Sequence, residues 1–78
     1  VPRLRLFGPA RDAAGTASVL APGATVGEVL VWATAVFGPA FDEVLATSRV
    51  WVNGETAGLD WLVVESDEVA VLPPSSGG

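Results

Sequence analysis

Residues Arg3-Leu4-Arg5-Leu6-Phe7 alternate polar and apolar side chains, the period of a strand with one face buried, so Leu4 and Leu6 are predicted to point into a core. Gly8-Pro9 breaks that strand, a short helical turn is expected over 10–14, and Gly15 permits reversal into a second strand near Thr16 to Ala21. Pro22-Gly23 closes it. Thr25-Val26-Gly27-Glu28 has the Thr-x-x-Glu spacing of a capping box, in which side chains satisfy free amides at a helix start. From there Val26, Val29, Leu30, Ala33, Val36 and Phe37 fall at helical spacing and form one apolar stripe. Gly38-Pro39 stops this helix near Phe37, because proline cannot continue the hydrogen-bond ladder.

Another short helical turn is expected within 40–47. Arg49-Val50-Trp51-Val52-Asn53 alternates again, with Val50 and Val52 inward, and Asn53-Gly54 is a turn signal. After a loop through Leu59 to Val64, the polar cluster Glu65-Ser66-Asp67-Glu68 precedes a last strand, Val69 to Leu72. The order predicts an α+β fold, a mixed sheet of four to five strands with one main helix packed across it. That is the order of the β-grasp (ubiquitin-like) fold, whose two chain ends lie in neighbouring central strands. The expected division is a domain over 1–72 and a C-terminal tail over 73–78.

Composition narrows the chemistry. A chain of 78 residues, half of them apolar, holds one modest core and no second domain. His, Cys, Lys, Tyr and Met are all absent. Without imidazole there is no Ser-His-Asp or Cys-His arrangement, and without lysine no Schiff base or Walker loop. Without thiolate or imidazole, zinc, haem and iron–sulfur sites are not expected, and no metal site is assigned. Four Arg against nine Asp and Glu give a net charge of −5, which opposes binding to nucleic acid. No apolar run reaches the roughly 20 residues of a membrane span and no signal-like segment opens the chain. The chain therefore reads as soluble and cytoplasmic, with neither nucleic acid nor membrane as a partner.

The end of the chain is the most specific feature. Asp67-Glu68-Val69-Ala70-Val71-Leu72-Pro73-Pro74-Ser75-Ser76-Gly77-Gly78 closely resembles the C-terminus of the small subunit of molybdopterin synthase, the MoaD/ThiS type of ubiquitin-like sulfur carrier. Leu6-Phe7 followed by Arg11 is similar to that family's first strand and loop, Thr25-Val26 to its helix start, and Val52-Asn53-Gly54-Glu55 to its central turn. The sequence departs from the family where Ser66 stands in place of a common glycine and where two serines precede the glycines.

The resemblance implies that the reactive group is the carboxylate of Gly78, a substrate in covalent chemistry and not a catalyst. An E1-like adenylating enzyme would join it to AMP using ATP, and a sulfide or persulfide donor would displace AMP to leave a thiocarboxylate. A sulfur acceptor enzyme such as the molybdopterin synthase large subunit would then use that sulfur. On this reading the chain binds no cofactor itself, is non-catalytic alone, and is the small subunit of a molybdopterin synthase-type sulfurtransferase complex.

The tail residues suit such a role. Gly77 and Gly78 lack Cβ and can pass through a narrow channel. Pro73 and Pro74 favour an extended path away from the last strand. Ser75 and Ser76 are either plain linker or specific hydrogen-bonding groups. Strand alternation puts Arg3, Arg5, Phe7, Arg49 and Trp51 on the sheet face away from the helix, with Leu72 extending the patch. An apolar surface rimmed by Arg is the composition of a docking site, the alternative being that a loop covers Trp51. Trp32 and Trp61 read as structural, at the margin of the helix stripe and in the loop before the last strand. Asp42-Glu43 and Glu65-Asp67-Glu68 read as solvated turns.

Other acceptors fit the same tail, namely those serving cysteine, thiamine, thiolated tRNA or sulfur-containing secondary metabolites. A ubiquitin-like modifier joined through Gly78 to a target lysine is a further reading, as is an interaction module cut from a larger protein.

Overall fold

The first and last strands lie side by side. The computed structural model describes residues 1–74. Strand β1 (Arg3–Leu6) pairs in parallel with β5 (Glu68–Leu72), in the register Leu4 to Val69 and Leu6 to Val71. Strand β2 (Ser18–Leu20) runs antiparallel on the other side of β1, and β3 (Arg49–Val52) antiparallel on the other side of β5. The two-residue β4 (Glu55–Thr56) completes a five-stranded sheet of order β2-β1-β5-β3-β4. The chain has the β-grasp fold, with its central pair made from opposite ends of the sequence.

Helix α2 (Val26–Phe37) starts at the capping box. Thr25 Oγ1 accepts from the Glu28 amide at 3.2 Å, and Glu28 Oε1 accepts from Ala24 N at 2.8 Å, one residue before the cap. Its stripe packs on one face of the sheet: Val26, Val29, Leu30 and Ala33 are buried with Leu4, Leu6, Val52, Val69 and Val71. Burying side chains of this size stabilises by about 1.5–3 kcal/mol each before ordering costs.

Two differences from expectation have one origin, the Gly-Pro pairs. Both were read as breaks, and both also start helices: α1 (Gly8–Ala14) and α3 (Pro39–Ala46) each carry a proline in the first turn, where its missing N–H costs nothing. The sheet thus carries three helices among the described residues. Phe41, on α3, is wholly buried and its ring centroid lies 5.2 Å from that of Phe37. Phe37 and Phe41 fill that end of the core, and Val36, placed on the stripe by spacing alone, is 55% exposed. The second strand is shorter than the expected Thr16 to Ala21, because Thr16 bends the chain by accepting from the amide of Ser18. Among the described residues no helix is long and apolar enough to cross a membrane.

Candidate functional site

The helices cover one face of the sheet and leave the other open. Register aligns Arg5, Ala70 and Trp51 in one row of that outer face, and Arg49 and Leu72 in the next. Phe7 follows β1 and stands beside Leu72, its amide donating to the Val71 carbonyl at 3.1 Å. Trp51 is 38% and Phe7 37% exposed, so no described segment covers either ring. Between Arg5 and Trp51 the central strand contributes only the methyl group of Ala70, which keeps the middle of the face low.

Arg5 is held across this surface. Its Cζ lies 5.6 Å from the Phe7 ring centroid, and its Nη1 lies 3.4 Å from Glu68 Oε2. Both partners are open to water, so the ion pair orients the guanidinium more than it stabilises the fold. Arg3 donates to Ser18 Oγ at 2.8 Å, and Arg49 is exposed at the far side. Three of the four arginines thus share the face that carries Trp51, Phe7 and Leu72. The expected grouping of Arg5, Phe7, Arg49, Trp51 and Leu72 is brought together, with Leu72 half-buried.

Leu72 leads into the tail. Pro73 and Pro74 are exposed, and the Pro73 ring lies against Gly8: a Cβ at Gly8 would stand 3.5 Å from Pro73 Cγ. Gly8 has φ +55°, the left-handed region that favours glycine. The parallel pairing of β1 and β5 makes this contact inevitable, since residues following the two strands emerge side by side. Sequence reasoning missed Gly8, Ala70 and Glu68, and that pairing was the signal that points to them. Ser75, Ser76, Gly77 and Gly78 lie outside the described residues.

The opposite end of β5 is fixed by a polar brace. Asn53, at φ +50° in the turn after β3, donates from Nδ2 to Asp67 Oδ1 at 2.8 Å and accepts from Glu68 N at 2.9 Å. Asp67 Oδ2 accepts from Val64 N at 2.8 Å. The Val64 amide, then the Asn53 amide group, hold the Asp67 carboxyl below its usual 3.8. Asp67 lies in a solvated turn, as expected, and there it also ties the loop and the β3 turn to the start of β5. Trp32 packs edge-on to Phe37 at 6.3 Å, as a margin residue should. The loop carrying Trp61 is anchored through backbone, its carbonyl accepting from Val26 N at 3.0 Å, while the indole stays 39% exposed.

The comparisons agree with this geometry. The ThiS family profile matches residues 4–78. The solution structure of small archaeal modifier protein 1 (SAMP1) from Methanosarcina acetivorans is 31% identical, with a TM-score of 0.86 over 97% of this chain and 94% of that one. A chain of the Amycolatopsis orientalis BexX/CysO complex is 25% identical, with a TM-score of 0.82 over all of both chains. The putative molybdopterin converting factor subunit 1 of Pyrococcus furiosus, at 24% identity and a TM-score of 0.79 over 94% of this chain and 95% of that one, shares the fold. This chain belongs to the ThiS family, the ubiquitin-like sulfur carriers and modifiers built on the β-grasp.

Proposed function

We propose that the chain is a sulfur carrier whose Gly78 carboxylate, when that residue ends the chain, is activated and thiolated by partner enzymes. The carboxylate oxygen attacks the α-phosphorus of ATP held by an E1-like enzyme, pyrophosphate leaves, and an acyl-adenylate forms. Sulfide then attacks the carbonyl carbon, the bond to AMP oxygen breaks, and a thiocarboxylate remains. With a persulfide donor the first product is an acyl disulfide, which a thiol reduces to the same thiocarboxylate. The acceptor proposed is an enzyme of the molybdopterin synthase large-subunit type, working in the cytoplasm.

One observation carries the reading: the root of the tail is continuous with an open, apolar, Arg-rimmed surface through Leu72, Phe7 and Pro73. A partner holding Trp51 and Phe7 lies beside the segment it must thread. The chain lacks His, Cys, Lys and Tyr, so imidazole, thiol and amine chemistry comes from the partners. Intact-mass measurement after incubation with the activating enzyme, ATP and sulfide tests this: one oxygen-for-sulfur exchange at the C-terminus is expected, and no exchange counts against it.

A second reading, attachment to other proteins through Gly78, is favoured by the 31% identity to an archaeal modifier protein. Both readings share the acyl-adenylate. They part at the attacking group, sulfur in one and a target amine in the other, which mass analysis of the products separates.

A further inference from the structure

A second apolar surface lies on the helix side of the sheet. Helices α2 and α3 and strand β3 bound an open groove of about 1300 Å³. Val50 faces the same side as buried Val52, yet it is only half-buried and lines this groove with Leu45 and Trp32. Val31 and Leu59, also lining it, are 71% and 65% exposed. Gly27 shapes one end: its amide donates to the Leu59 carbonyl at 2.8 Å, and a Cβ there would stand 3.1 Å from that oxygen. Glycine at 27 lets the loop lie flush on α2 and sets Leu59 at the rim.

The charge around the groove is of one sign. Glu28, Asp42 and Glu43 line it, and no arginine does. Arg3, Arg5 and Arg49 lie on the outer face and Arg11 on α1. Among the described residues the ion pairs are Val1 amine with Glu65 and Arg5 with Glu68, so the three groove acids have no cationic partner there. An apolar floor under unneutralised carboxylates complements an apolar ridge flanked by cations. A second copy of the chain fits less well, since it brings a net charge of −5. Helix α2 has 12 residues and is about 18 Å long, room for an amphipathic helix of about three turns laid alongside it.

We infer that this groove docks a cationic amphipathic helix of a protein partner, and that it does so while the outer face and tail remain free. The inference does not depend on the tail chemistry, because Trp51 and Val50 lie on opposite faces of the sheet. A carrier with two independent surfaces can be handed between enzymes without first being released.

The probe is a synthetic peptide of about three helical turns, with Leu at i, i+3, i+4 and i+7 and Lys at the flanking positions. Its counterpart carries Glu for each Lys. Indole N–H signals of the nitrogen-15-labelled chain, each assigned to its tryptophan, give the readout. The Lys peptide should shift the Trp32 signal saturably and leave Trp51 unmoved. The Glu peptide should bind at least tenfold more weakly. Glu43→Lys and Val31→Lys, both at exposed helix positions, should each weaken the Lys peptide severalfold with unchanged indole dispersion. Absence of a saturable Trp32 shift, an equal response to both peptides, or a shift centred on Trp51 overturns the inference. A Trp32 shift that grows with chain concentration alone assigns the groove to self-association and overturns it equally.

Discussion

Gly8 and Pro73 face each other where the two parallel central strands end, near enough that a Cβ at residue 8 would stand 3.5 Å from Pro73 Cγ. The pair joins residues 65 positions apart in sequence, 8 and 73; a Cβ at 8 would fit beside the proline ring, and it is the left-handed φ of +55° that calls for glycine there. Gly8→Ala should lower the unfolding free energy by about 1–2 kcal/mol, the cost of a left-handed non-glycine residue. Denaturant titration checks this, and an unchanged midpoint would show that position 8 carries no left-handed strain.

Trp51→Ala should weaken binding to the activating enzyme at least thirtyfold, about 2 kcal/mol for an aromatic at the centre of a contact. Thermal stability should fall less than for a fully buried aromatic such as Phe41, because Trp51 is 38% exposed. A large fall in melting temperature with unchanged affinity would mean that Trp51 supports the fold and not the interface.

Phe41→Ala should cost about 3–5 kcal/mol, since its side chain is fully buried and leaves a cavity. A chain of 78 residues has a total stability on the order of 4–12 kcal/mol, so the variant should lose at least about a quarter of it and melt at a clearly lower temperature. Circular dichroism melting measures it.

Asp67 makes stability depend on acid. Its folded pKa is depressed below 3.8 by the Val64 and Asn53 hydrogen bonds, so its contribution is fully present above the unfolded value and is lost as pH falls through the folded one. Asp67→Ala should therefore be less stable than the parent at neutral pH, with the gap narrowing below pH 3.8. A gap that stays constant through that range would show that the carboxylate charge is not what the Val64 and Asn53 groups hold.

Strand alternation sufficed to put Leu4, Leu6 and Val52 inside and Trp51 and Phe7 outside, because a period of two leaves only one choice once a face is apolar. The capping box was equally plain, since Thr25 and Glu28 act within one helical turn. Phe41 was not legible: eight residues of α3 give too few repeats to reveal a period, and the preceding Gly38-Pro39 reads as a stop. The pairs Gly8 with Pro73, Arg5 with Glu68 and Asn53 with Asp67 join distant segments. No local pattern encodes them: the first two follow from the parallel register of β1 and β5, the third from the antiparallel register of β3 and β5.

The central claim concerns one carboxylate, and ATP–pyrophosphate exchange with the activating enzyme tests it most directly. A chain ending at Gly78 should support exchange, and the same chain with one residue added after Gly78 should support none, with identical circular dichroism spectra for both. Exchange at an equal rate with the extended chain would contradict the account, because the activated group would then lie somewhere other than the Gly78 carboxylate.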